Sequence, residues 1–182
     1  MEIQQALINR RTIHKFNSRK VPEEYVERAI CAANQAPCHR HTFPWRFTRV
    51  NKEKRRLIEQ LYLKDKYDID KINKSTDYKL IAKFVNPSHL IVASQISVND
   101  QSLELENYAA CACAIQNLLL SLAVDGVGSK WSTVPIIKNE GTYKIVEISP
   151  DKEKIIGFLW IGYGEIPARI DRPSISSVYR KL

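Results

Sequence analysis

Long uninterrupted apolar runs are missing from this chain. No stretch reaches the ~18–20 apolar residues that a membrane span needs. The nearest, Tyr108 to Val124, is broken by Gln116, Asn117 and Ser121, so no membrane partner is expected. The opening Met-Glu-Ile-Gln-Gln has no basic stretch leading into an apolar one, so no secretory signal is visible and a cytoplasmic location is expected. Cysteine is sparse: Cys31, Cys38, Cys111 and Cys113 make no Cys-x-x-Cys pair and no zinc-finger spacing. On a helix Cys111 and Cys113 point roughly 200° apart, which removes them as adjacent metal ligands. Reduced thiols acting as small hydrophobes are the expected state. The Walker loop, the dinucleotide Gly-x-Gly-x-x-Gly, the zinc-protease helix and the Gly-x-Ser-x-Gly elbow are all absent. Glycine and proline, 6 and 8 in 182 residues, are too few for collagen-like or low-complexity chains.

What is present is an ordinary globular balance, 44% hydrophobic and 26% charged, with a length that suggests one domain over residues 1–182. The net charge is +8, from 28 Lys and Arg against 20 Asp and Glu. A basic chain attracts anions, whether nucleic acid, membrane surface or a phosphorylated cofactor. Here the charges are dispersed, and Lys52-Glu53-Lys54-Arg55-Arg56 has the pattern of a solvated helix face. No nucleic-acid motif accompanies them, so nucleic acid is not an expected partner.

Periodicity predicts a short helix over 2–9, with Ile3, Ala6, Leu7 and Ile8 near one face. A second helix starts at Pro22, with Glu23 and Glu24 complementing its positive end, and Pro37 ends it. Strands are expected at Trp45–Val50, Leu90–Ala93 and Lys154–Tyr163, and a helix at Glu53–Leu63. Residues 64–80, polar and aperiodic, suggest a mobile insertion or lid. Leu103–Val124 is the longest helical stretch, stopped by Asp125-Gly126. Its small-residue segment Ala109–Ala114 would let another helix approach closely. Residues 164–182, with Pro167 and Pro173, suggest an extended tail. Helices and strands alternate without a composition break, which predicts one α/β or α+β domain.

Two constellations carry chemistry. Asn9-Arg10-Arg11-Thr12 puts two fixed cations and a hydroxyl together, which suits a phosphate; a solvated basic pair is the alternative. Gln35 to Phe47 runs from a helix end through a loop into a strand. Its His39 and His41 lack a third ligand nearby, so hydrogen-bonding or packing roles outweigh a metal site.

Together these segments resemble the flavin-dependent nitroreductase family. Arg10-Arg11-Thr12, Val21-Pro22 and Ala36-Pro37…Pro44-Trp45-Arg46-Phe47 follow the family pattern in order. So do Gly126-Val127-Gly128-Ser129-Lys130-Trp131-Ser132-Thr133 and Gly157-Phe158-Leu159-Trp160-Ile161-Gly162-Tyr163. The resemblance implies an α+β three-layer fold, with a central, mostly antiparallel sheet flanked by helices, in a homodimer with exchanged tails. It implies an FMN enzyme that takes hydride from NADH or NADPH through flavin N5. A small electron-poor acceptor, such as a nitroaromatic or a quinone, would follow in ping-pong order. Arg10, Arg11 and Thr12 would hold the FMN phosphate and ribityl chain, and Arg172 a further phosphate contact. Gln35 and His39 would reach the flavin from the partner subunit, while Trp131, Ser132 and Thr133 would line the ring edge. No side chain is implied as a nucleophile, so no catalytic residue is assigned. Phe43 stands where the family usually has Gln, Cys38 replaces Ser or Asp, and His14 replaces a frequent basic residue. Other flavin chemistry on the same fold, or a non-enzymatic polyanion-binding role, are the alternatives.

Overall fold

Two strands covered on both faces organise the molecule. The computed structural model describes residues 2–66 and 81–182. In chain order the elements are α1 (Ile3–Asn9), α2 (Glu23–Ala33), β1 (Trp45–Val50), α3 (Lys52–Lys66), β2 (His89–Ile96), α4 (Gln101–Val124), β3 (Gly128–Ser132), α5 (Glu140–Val146), β4 (Glu153–Gly162) and α6 (Ile175–Val178). Residues 81–85 are also helical, and single 3-10 turns lie at His39–His41 and Pro135–Lys138. The sheet order is β1-β2-β4-β3, and all three pairings are antiparallel.

β2 and β4 read as near-continuous apolar runs because side chains alternate between two covered faces. Ile91, Ala93, Leu159 and Ile161 pack into one layer with α2 and α4. Leu90, Val92, Phe158 and Trp160 pack into the other with Ile58 of α3, Ile136 and Val146 of α5. The result is the α+β fold of helices on both faces of an antiparallel sheet.

α4 is long and apolar enough to cross a membrane by length and composition, more so than its broken apolar run suggests. In this fold it is the core helix of one layer, with Ala114, Leu118 and Leu122 fully buried. Asp100 caps its start by accepting from the Ser102 and Leu103 amides. Gly126, at φ +71°, ends it in the left-handed region. Cys111 is fully buried while Cys113 is exposed, as helical geometry requires of residues two apart. Burial also pushes the Cys111 thiol up to about 12.

Several expectations change. In α1 only Ala6 is buried, whereas Ile3, Leu7 and Ile8 are exposed. The helix docks through one small residue and presents the larger ones outward. Of the expected insertion at 64–80, residues 64–66 are the last turn of α3; residues 67–80 lie outside the described residues. β3 and α5 were not expected as elements. β3 is five residues of mixed polarity and is specified by pairing with β4 rather than by its own pattern. α5 has only seven residues, too few to display a period; its ends carry it, with Asn139 accepting from Gly141 N and Glu147 left-handed at φ +60°. The tail is extended and exposed from Glu165 onward, except for the single helical turn of α6.

β4 approaches β3 so closely that glycine is required at 157. A Cβ there would meet the Trp131 Nε1 at 2.1 Å and the Ser132 carbonyl at 3.1 Å. The indole fills the space and donates to Ile156 O at 3.2 Å. Gly157→Ala is expected to displace Trp131 and to cost about 1–3 kcal/mol, the range for overpacking a filled core. A urea midpoint equal to that of the wild type would contradict this packing.

Candidate functional site

At the end of α1 the chain turns extended at Arg10 (φ −57°, ψ 127°). It then docks beside β3: Thr12 forms a parallel bridge with Ser129, and Ile13 N–H donates to Ser129 O at 3.0 Å. Gly128 makes this approach possible, since a Cβ would meet the buried Ile13 side chain at 2.6 Å. Backbone pairing thus fixes Arg10, Arg11 and Thr12 at the sheet edge.

Beside them opens a cavity of 390 Å³, lined by Asn9, Arg10, Arg11, Asn17, Arg19, the turn Gly126–Ser129 and Tyr163. That volume lies in the range of small-molecule sites. Three arginines line it and no acidic side chain does. The Arg10 guanidinium is held below its ordinary pKa, first by burial and then by the like charges of Arg172 and Arg11. The tail therefore brings Arg172 to the pair that the start of the chain supplies. None of the three makes an ion pair with a carboxylate among the described residues. Arg11 has one nitrogen engaged, Nη1 donating to Ile8 O at 2.6 Å and Arg10 O at 2.9 Å across the end of α1. Uncompensated like charges at a cavity lower stability and attract an anion.

The extended segment continues into a narrower cleft of 80 Å³, with His14, Lys83, Lys130 and Ser132 among its lining residues and Tyr62, Phe84 and Trp160 forming an aromatic wall. Lys130 is held below its ordinary pKa by burial and by Lys83. Lys83 and Lys130 escaped the sequence analysis. Alternation along β3, which puts Lys130 and Ser132 on one face, was the signal available for Lys130; Lys83 lies in a stretch without a readable period.

The remaining expected residues lie elsewhere. Trp131 is tied to β4 by its indole, Ser132 lines the narrow cleft, and Thr133 lines a separate groove with Leu105 and Tyr108. Gln35 and His39 are exposed after α2, and His39 Nε2 lies 3.9 Å from Glu106 Oε2. Neither lines the arginine cavity of its own chain. Their loop is braced: Phe43 N–H donates to Cys38 Sγ at 3.2 Å, and Thr42 Oγ1 donates to Asn107 at 2.7 Å. Arg40, His41 and Phe43 all adopt positive φ there. No group of three metal-ligating side chains exists among the described residues. A larger hollow of 730 Å³ lies over α5, but its Lys138 and Lys144 stand beside Glu140 and Glu147, and its Lys154 is paired with Glu104, so it lacks the uncompensated charge.

A three-layer α+β fold with an acid-free guanidinium cavity defines a domain suited to a phosphorylated small molecule. The chain belongs to the Nitroreductase family, whose sequence profile matches residues 7–163, the span from α1 to the end of β4 and its flank. It is 30% identical over 160 residues to the "Putative NAD(P)H nitroreductase YfhC" of Bacillus subtilis, covering 85% of this chain and 80% of that protein. The fold matches that of a nitroreductase-like family protein from Bacillus cereus, with a TM-score of 0.86, 22% identity, and 100% and 96% of the two chains covered. It also matches the FMN and NADPH-dependent nitroreductase NfnB of Sphigopyxis sp. strain HMH, with a TM-score of 0.82, 15% identity, and 100% and 99% covered.

An anion that binds only the folded chain stabilises it by mass action, about 2.7 kcal/mol at a hundred times its Kd. Inorganic phosphate should therefore raise the thermal midpoint more than chloride at equal ionic strength. The excess should vanish in Arg10→Ala/Arg11→Ala. Equal shifts in both proteins would show that the anion acts elsewhere.

Proposed function

We propose that the protein is an FMN-dependent oxidoreductase, fed by NADH or NADPH, that reduces small electron-poor acceptors such as nitroaromatics and quinones. The observation that carries this reading is the cavity lined by Arg10 and Arg11 with no acidic side chain, to which Arg172 lies near enough for its charge to act on Arg10. A phosphate monoester holds roughly −1.5 to −2 charges near neutrality, and guanidinium forks match its oxygens. The residues fit the group in kind as well as charge, because Asn9 and Asn17 line the cavity with amides, Thr12 follows Arg11 at its edge, and the cavity carries no competing acid. Family membership, and the cofactor and donor in the names of the relatives, support the same assignment.

When bound, FMN supplies the redox chemistry, accepting hydride from the nicotinamide and passing it to the acceptor. The chain's own residues bind and orient. Arg10, Arg11 and Arg172 neutralise the phosphate, and Thr12 offers its hydroxyl to phosphate or ribityl oxygens. Ser132, in the narrow cleft that the same extended segment lines, would border the ring edge, whereas the Trp131 and Thr133 side chains lie elsewhere and would offer the ring no more than their backbone amides. Lys130 and Lys83 place positive charge beside Ser132, which would favour negative charge on a ring bound there.

The active unit is a homodimer with two shared sites and exchanged tails. In support, Ile3, Leu7, Leu105 and Tyr108 are exposed large hydrophobics on α1 and α4, as are Ile175, Val178 and Tyr179 on the tail. So much exposed apolar surface marks an interface. Residues 165–182 are exposed throughout and have no core of their own chain to pack against. Gln35 and His39 lie apart from the arginine cavity of their own chain, which leaves them available to the second copy.

Subunit mixing tests the cofactor and the sharing together. Arg10→Ala/Arg11→Ala removes two charge-assisted contacts of roughly 1.5–3 kcal/mol each, so FMN affinity should fall at least about tenfold. Refolded as a mixture with a Gln35→Ala/His39→Ala chain, it should regain FMN binding and turnover in part, because one of the two shared sites is then free of lesions. Mixtures that exchange subunits yet stay as inactive as either parent would contradict the shared arrangement. Unchanged FMN affinity in the arginine variant would contradict the phosphate assignment.

A further inference from the structure

Arg19 is the third arginine lining the cavity, and the phosphate assignment above leaves it without a ligand. Its Cζ lies 3.3 Å from the centroid of the Tyr163 ring, the geometry of a guanidinium stacked on an aromatic face. Backbone contacts hold the two together. Arg19 N–H donates to Asn17 Oδ1 at 3.0 Å, and Asn17 N–H donates to Tyr163 O at 2.8 Å. Tyr163 itself follows directly from β4, whose last eight residues are all buried. Arg19 makes no ion pair with a carboxylate among the described residues. An exposed arginine held in place without a counter-charge is a preorganised cation.

Charge balance says what kind of ligand it awaits. Arg10, Arg11 and Arg172 already exceed the roughly −2 of one phosphate monoester. Arg19 adds a further positive charge, and no acidic side chain lines the cavity to absorb it. Asn9 and Asn17, with amide donors at the same wall, add neutral hydrogen-bonding capacity for more oxygens than one phosphate presents. We infer that Arg19, stacked on Tyr163, contacts the pyrophosphate of the dinucleotide electron donor, beside the phosphate held by Arg10, Arg11 and Arg172. The inference rests on the function proposed above and assigns the donor's anionic half to this cavity. Arg19 thereby acts on donor binding rather than on cofactor retention, and it is a binding residue without a chemical step.

Calorimetric titration of inorganic pyrophosphate into the FMN-loaded protein reads this contact without turnover. Arg19→Ala should weaken pyrophosphate at least about fivefold, the loss of a charge-assisted contact. Tyr163→Leu, which frees the guanidinium, should weaken it in the same direction, and so should Arg19→Lys, which keeps the charge but lacks the flat stack. In steady state Arg19→Ala should raise the KM for NADH or NADPH by a similar factor with kcat within about twofold. FMN affinity should stay within about twofold of the wild type. Unchanged pyrophosphate affinity in Arg19→Ala overturns the inference, and so does a loss of FMN affinity matching that of Arg10→Ala/Arg11→Ala. A wild-type chain that binds no FMN overturns the proposed function instead, and the same titration on the flavin-free protein then still decides whether Arg19 holds an anion.

Discussion

Burial of β4 on both faces is the constraint on which the rest of the structure depends. Phe158, Leu159 and Ile161 are wholly inaccessible, and alternate residues serve the two helical layers. β4 is also the strand to which both β2 and β3 are paired. Through β3 it positions Ser129, which receives the Arg10–Ile13 segment, and through its own end it positions Tyr163. Its glycines are part of this arrangement, because Gly157 accommodates the Trp131 indole and Gly162 lies against Phe16 and Pro87. A cation cluster with no counter-charge can persist only on a scaffold whose hydrophobic terms exceed its self-repulsion.

That cluster sets stability against binding. Arg10 and Lys130 are both held below their ordinary pKa by burial first and like charge second. Each therefore binds its proton less well in the folded chain than in the unfolded one. Stability from such groups is lowest below the folded pKa and rises with pH toward the unfolded value, 10.5 for Lys130. Near neutrality the whole penalty is present. A bound anion would relieve it, which would couple ligand binding to folding at this site. Elsewhere the chain pairs its surface charges in the ordinary way, as Arg28 does with Asp125 and Lys15 with Glu165, and such pairs contribute little.

Much of this was legible in the sequence because local chemistry and tertiary role coincide. The stop at Asp125-Gly126 and the entry at Pro22 are realised as written, and Trp45–Val50 keeps its bounds. β3 was not legible as a strand because its pattern is dictated by pairing with β4, about thirty residues further along the chain, rather than by its own residues. Ile3, Leu7 and Ile8 misled because apolar residues at helical spacing do not by themselves bury a face in their own chain. For the site, Arg10, Arg11 and Thr12 stood out as contiguous residues. Arg172 needed the family resemblance, since more than 150 residues of chain separate it from Arg10. Lys83, Lys130 and Arg19 meet the site only through the fold, and isolated basic residues in a chain of net charge +8 carry no signal of their own.

The proposed function requires that flavin mononucleotide occupy the basic cavity and cycle between donor and acceptor. The most direct measurement is to denature the purified protein, identify the released chromophore, and follow the intact protein's absorbance anaerobically as NADH or NADPH is added. The expected result is a yellow protein that releases FMN, bleaches with a reduced nicotinamide and recovers its colour when a quinone is supplied. A colourless protein that takes up no added FMN, or a bound flavin that neither nicotinamide bleaches, would contradict it.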